Sequence, residues 1–102
     1  MIRIREGIQV DEARLAELCD RYGIAELELF GSVVRDDFGP DSDIDLLYVM
    51  RPDTGFGLEI IDAIDEFSDL FGRPVDLVSR ARLHWYIRDE VLSTARPLHV
   101  AA

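Results

Sequence analysis

Asp43 and Asp45 stand two residues apart in a stretch, Asp43 to Met50, that reads as a β-strand. Side chains at i and i+2 of a strand project from the same face, so the two carboxylates are expected side by side. Carboxylates at that spacing repel one another and raise each other's pKa unless a cation joins them. A hard divalent ion, Mg²⁺ or Mn²⁺, suits such a pair, because it takes oxygen ligands from one or two carboxylates and completes its shell with substrate phosphates. By itself an Asp-x-Asp is more often two solvated acids on a polar face.

Three further places in the chain favour the chemical reading. Gly31-Ser32 falls between a strand and a short predicted helix, Ser32 to about Asp37. A helix start offers free N–H groups to phosphate, and glycine lets the backbone approach a ligand closely. The plainer reading of Gly-Ser is a turn with a capping serine. Arg35, three residues on, can pair with phosphate oxygens or form a surface ion pair with Asp36 or Asp37. Asp76 interrupts the apolar run Val75-Asp76-Leu77-Val78. An aspartate in an apolar strand is costly to bury unless it is paired or metal-bound. If that strand lies beside Asp43–Met50, Asp76 completes a cluster of three carboxylates.

The elements that must position these residues are read from periodicity. Asp11 to Tyr22 reads as a helix, with Leu15, Leu18, Cys19 and Tyr22 on one stripe, Asp11 as N-cap and Gly23 ending it. Ile24 to Phe30 alternates, Leu27 and Leu29 to one side and Glu26 and Glu28 to the other. The nearly unbroken apolar run from Leu46 to Met50 fits a central strand covered on both faces. Phe56 to Phe71 is expected to be an amphipathic helix with Ile60, Ile61, Ile64, Phe67 and Phe71 inward, and Gly72 ends it. Val75 to Val78 reads as a third strand. Ala81 to about Ala95 reads as a last helix with Leu83, Ile87 and Val91 inward, and Pro97 to Val100 as an added edge strand. The order α-β-α-β-α-β-α predicts an α/β (α+β) domain: a small mixed sheet with helices mainly on one face and the carboxylates on the other. His84, Trp85 and Tyr86 are consecutive, so at least one is expected on the surface as a partner or dimer contact, with one or two in the core.

With 102 residues and 48% apolar content, the chain is expected to form one domain spanning 1–102. No apolar run approaches the ~20 residues of a membrane helix, and Met1 to Arg5 carries no apolar leader, so a cytoplasmic location is expected. The single cysteine, Cys19, excludes an internal disulfide and reads as a core thiol. His84 and His99 have no partners at zinc-ligand spacing. The net charge of −10 argues against direct nucleic-acid binding and suits a basic protein partner or bound cations.

Taken together, Phe30-Gly31-Ser32-Val33-Val34-Arg35 and Ser42-Asp43-Ile44-Asp45-Leu46-Leu47 resemble the Gly-Ser…Asp-x-Asp signature of the DNA polymerase beta-like nucleotidyltransferases, most closely the minimal (MNT-type) branch. Val75-Asp76-Leu77-Val78 is similar to that branch's third-carboxylate strand. The resemblance implies that Asp43, Asp45 and Asp76 bind two Mg²⁺ ions, with Asp76 helping to deprotonate the attacking hydroxyl. It implies that Gly31 and Ser32, assisted by Arg35, hold the phosphates of an NTP. It further implies ATP as substrate, a HEPN-domain ribonuclease toxin as partner, a tyrosine of that toxin as acceptor, and an antitoxin role. The alternatives are a catalytically silent antitoxin of the same fold that acts by binding, and transfer to a small molecule such as an aminoglycoside. Homo-oligomerisation stays open. Minimal members often carry glycine after the arginine; here it is Asp36, which either weakens NTP binding or points to solvent.

Overall fold

The computed structural model describes residues 1–101 and builds its framework on one four-stranded sheet. Two short strands open the chain, β1 (Ile2–Arg5) and β2 (Ile8–Val10), as an antiparallel hairpin. Helix α1 (Glu12–Tyr22) follows, with Asp11 Oδ1 accepting from the amides of Ala13 and Arg14, and Gly23 closing it at φ 74°. Next come β3 (Ile24–Phe30), a 3₁₀ turn (Gly31–Val34) and β4 (Ile44–Met50). Helix α2 (Ile60–Phe71), β5 (Val75–Ser79), a second 3₁₀ turn (Arg80–Arg82), α3 (Trp85–Thr94) and β6 (Arg96–Val100) complete it. The sheet order is β5-β4-β3-β6, with β4 and β5 parallel and the other pairs antiparallel.

Alternation decides which sheet face is filled. Leu27, Leu29, Ile44 and Leu46 are at most 3% exposed and meet Leu15, Leu18 and Cys19 of α1 and Ala63, Phe67 and Phe71 of α2 in one cluster. The hairpin contributes Ile4, Ile8 and Val10 to the same cluster. Among the described residues no polar or charged one is buried in it. The opposite face carries the odd-numbered residues of β4, and there only Leu47 is fully covered. The mixed sheet with helices mainly on one face therefore agrees with the sequence expectation, as do α1, β3 and the edge strand β6.

Several elements differ, each for a physical reason. The opening hairpin was not expected; Glu6-Gly7 turns it, with Gly7 at φ 82°. The expected Ser32–Asp37 helix is a 3₁₀ turn that stops at Val34, and Arg35 is already extended at φ −121°, ψ 172°. Arg5 Nη1 donates to the carbonyls of Val33 (3.0 Å) and Arg35 (2.7 Å), the acceptors a continuing helix would need. Helix α2 begins at Ile60, not Phe56, because Gly55 and Gly57 flank a phenylalanine that packs on Tyr48 and Tyr22 at centroid distances of 5.1 and 6.1 Å. Ile61, expected inward, is 61% exposed, off the stripe centred on Ala63 and Phe67. Helix α3 starts at Trp85 and has no buried residue; Leu83 and Val91 are half-buried and Ile87 is exposed. His84, Trp85 and Tyr86 are all exposed, so none of the three enters the core. No helix among the described residues is long and apolar enough to cross a membrane.

Candidate functional site

The site residues take their places from strand register. Antiparallel pairing sets Phe30 opposite Asp45, and parallel pairing sets Asp76 opposite Asp45 on the other side. Residues in register share a face, so Phe30, Asp45 and Asp76 form one row across the open face, at strand spacings of about 4.8 Å. Ile44 and Leu46 are wholly buried on the reverse side, and Val75 and Leu77 beside them are buried too. A one-residue slip would exchange every one of these positions. Asp43 is the residue before β4, exposed, two positions from Asp45.

Asp45 is half-buried while Asp43 and Asp76 are more open. The pKa of Asp45 is raised above the ordinary carboxylate value, first by burial and then by the charges of Asp76 and Asp43; Arg35 opposes the shift. The chain thus keeps three acids where their charges work against each other, which structural economy alone would not favour. The three do not form a finished cage: among the described residues, no three His, Cys, Asp or Glu side chains are grouped so as to hold a metal ion. The donor set nevertheless fits a hard divalent cation. It consists of carboxylate oxygens alone, and the repulsion that helps raise the Asp45 pKa is what a cation relieves.

Gly31 faces this row at close quarters. Its φ of 74° is left-handed, and a Cβ placed there would collide with Asp45 Oδ2 and lie 3.1 Å from Cγ. The backbone of the Gly31-Ser32 turn and the Asp45 carboxylate therefore share one space that only glycine leaves open. Ser32 is half-buried within the turn, and its carbonyl accepts from the amide of Arg35 at 2.9 Å. A hollow of about 320 Å³ opens above, lined by Phe30, Gly31, Arg35 and Asp45 from the sheet side and by Glu90, Val91 and Thr94 from α3. The contribution of α3 was not visible in sequence, because only the return of the chain across the open face brings Glu90 opposite Arg35.

Arg35 is exposed at its guanidinium and donates through Nε and Nη2 to the two oxygens of Asp37, at 3.0 and 3.2 Å. That bond, followed by the Asp37 charge and smaller contributions from Asp45 and Glu90, holds the guanidinium above its ordinary pKa; the same bond is the main cause of the lowered pKa of Asp37. The ion pair is the ordinary alternative foreseen for Arg35, made with Asp37 and not Asp36. Asp36 itself is exposed and lines a neighbouring hollow with Arg3, Arg5, Arg35 and Arg96, whereas the Gly31–Asp45 hollow shares Arg35 but not Asp36. Cys19 is fully buried in the core, where burial pushes its thiol up to about 12, so it stays protonated and inert.

Similarity to known proteins agrees with this geometry. Residues 13–98 match the family model described as a nucleotidyltransferase domain. The chain is 33% identical over 92 residues to the protein adenylyltransferase MntA of Thermococcus cleftensis, covering 90% of this chain and 92% of that one. A solved minimal nucleotidyltransferase superposes with a TM-score of 0.68 at 37% identity, over 85% of this chain and 87% of the other. A toxin–antitoxin crystal structure with AMP-PNP gives a TM-score of 0.70 at 19% identity, over 90% and 75%, a likeness of fold alone. The matched region contains the acid row, the glycine turn and the strands that set their register, and on that footing the chain belongs to the nucleotidyltransferase domain family, as a nucleotidyltransferase of the minimal kind.

Proposed function

We propose that this nucleotidyltransferase transfers AMP from ATP to a hydroxyl of a partner protein, a tyrosine of a HEPN-domain ribonuclease toxin, and thereby serves as its antitoxin. The observation that carries the reading is the meeting of Asp45, paired in register with Asp76, with the Gly31 turn, where the Asp45 carboxylate and open backbone share one hollow beside Arg35. Asp43, Asp45 and Asp76 would hold two divalent ions, Mg²⁺ or Mn²⁺. Bound there, the ions supply charge neutralisation at the phosphate oxygens. Gly31 and Ser32 receive the β- and γ-phosphates on their backbone, and Arg35, exchanging Asp37 for phosphate, steadies them. The acceptor oxygen forms a bond to the α-phosphorus, the bond from that phosphorus to the bridging oxygen breaks, and pyrophosphate leaves. The hydroxyl proton passes to Asp76, the exposed end of the row.

Three points support the biological assignment. A relative of one-third identity is named a protein adenylyltransferase, and a structure of the same fold is a toxin–antitoxin with AMP-PNP. The net charge of −10 complements a basic, RNA-cutting partner in the cytoplasm. The hollow is small and walled by one helix, which suits an acceptor presented by another macromolecule.

A second reading, neutralisation by binding without transfer, is favoured by one observation: Arg35 is already satisfied by Asp37. Incubation of α-labelled ATP and Mg²⁺ with host lysate separates the two. Transfer predicts a labelled protein band with the native chain and none with the Asp43→Ala, Asp45→Ala variant. If no band forms and both proteins still capture and silence the same partner, binding alone is the function.

A further inference from the structure

The segment from Val33 to Asp43 joins the glycine turn to the first carboxylate, so its path sets the distance between phosphate and acids. It contains no regular element beyond the 3₁₀ turn. Two arginines from elsewhere in the chain hold it. Arg5, at the end of β1, donates from Nη1 to the carbonyls of Val33 (3.0 Å) and Arg35 (2.7 Å). Arg73, in the turn after α2, donates from Nη2 to the carbonyls of Gly39 (3.1 Å) and Pro40 (2.5 Å). Both guanidinium groups lie over the ring of Phe38, 5.1 and 4.5 Å from its centroid. The segment is thus gripped at both ends through one shared aromatic.

Chemistry explains the residue type. A guanidinium is planar, so it can stack on a ring while its N–H groups reach sideways to carbonyls; an ammonium offers neither the flat face nor the fixed fork of donors. The chain has eleven arginines and no lysine. Carbonyls engaged by Arg5 are also unavailable for helix continuation, which is why Arg35 leaves the turn in extended form and projects beside the Gly31–Asp45 hollow.

We infer that Arg5 and Arg73 are positioning residues of the transfer site: through Phe38 they fix the 33–40 segment, and with it the Gly31-Ser32 turn and Arg35, against Asp43 and Asp45. The inference rests on the nucleotidyl-transfer reading above. Neither arginine is placed in contact with nucleotide or acceptor.

The test uses the full chain with Arg5→Met, Arg5→Lys and Phe38→Leu, and reads three quantities: melting temperature, hydrogen exchange of the amides of 33–40, and the kinetics of ATP-dependent labelling of the captured acceptor. Methionine keeps the stem on the ring and removes the donors. Arg5→Met is expected to speed exchange in 33–40 and to raise KM for ATP about tenfold, with kcat changed less than about threefold, the pattern of lost binding shared by ground and transition states. Arg5→Lys, which restores the charge and N–H donors without the planar fork, should recover part of the KM. If exchange quickens or the melting point falls while KM and kcat stay native, the arginines are structural only and the inference is overturned. If Arg5→Met does not fold, Phe38→Leu carries the same comparison. A native chain that labels nothing would refute the transfer reading, and the positioning role would fall with it.

Discussion

The two faces of one sheet follow opposite rules. Toward α1 and α2, β3 and β4 present Leu27, Leu29, Ile44 and Leu46, all at most 3% exposed and with no polar group buried among them. Away from those helices the same strands present Asp45 and Glu28, with Asp76 from β5. Glu28 forms an ion pair with Arg80 at 3.2 Å, over the strand that carries Leu47. Among the described residues Asp45 has no such ion pair; it meets two like charges, opposed only by the more distant Arg35. One face maximises burial; the other keeps repelling carboxylates in the one row that touches the glycine turn. The contrast implies that the second face is shaped by a ligand, with the stability to tolerate it supplied by the first.

The comparison breaks most visibly if each face is altered singly. Asp45→Asn should leave the fold intact and reduce transfer about a thousandfold, the scale of several kcal/mol of lost charge stabilisation; labelling rates with circular dichroism as control check it. Leu46→Ala, next in the chain and on the other face, should do the reverse. It should cost about 2–5 kcal/mol of stability, lowering the melting temperature by about 10 °C or more on the scale of about 4–8 °C per kcal/mol for a domain of this size.

Gly31→Ala sits between the faces. A left-handed alanine costs about 1–2 kcal/mol, and its methyl would displace the Asp45 carboxylate, so both melting temperature and nucleotide affinity should fall. Gly72→Ala, equally left-handed but with open space around it, should cost stability alone.

The smallest effect sharpens the account by sign. The pKa of Asp45 is raised in the folded state, so its charged form opposes folding. Relative to the unfolded chain, that contribution is most favourable below the ordinary aspartate pKa and is lost as pH rises through the raised folded value. In chelator-containing buffer at neutral pH, Asp45→Asn should therefore melt slightly higher than the native chain, the gain kept small because solvent screens the partly exposed charge. The gain should vanish on acidification below the ordinary aspartate range. Differential scanning at a series of pH values reads it directly.

Much of this contrast was legible in the sequence where one period dominated. Leu27 and Leu29 alternating with glutamates, and Ile44 and Leu46 alternating with Asp45, are enough to define β3, β4 and the acid face. Helix α1 was equally plain, because Asp11 and Gly23 mark its ends chemically. The opening hairpin has a short local signal: Ile2 and Ile4, then Ile8 and Val10, flank a Glu6-Gly7 turn. Strands so brief give alternation too few residues to stand out. Other features had no local signal. The turn after Gly31 is cut short by an arginine far upstream, and Phe56 leaves its helix for Tyr48. Helix α3 buries no residue: of the expected stripe Leu83 and Val91 are only half-buried and Ile87 is exposed, as are Trp85 and Tyr86. The match of the acid row to Gly31 is likewise tertiary: strand pairing alone brings residue 31 to residue 45.

If the open-face carboxylates hold divalent cations for a nucleotide, nucleotide affinity depends on both the acids and the metal. Calorimetric titration of a non-hydrolysable ATP analogue, with Mg²⁺ and with chelator, into the native chain and the Asp43→Ala, Asp45→Ala variant tests it most directly. Tight binding is expected only for the native chain with Mg²⁺, and weak binding in the other three conditions. Equal affinity with and without Mg²⁺ in the native chain would contradict it and leave the acids as surface charge alone.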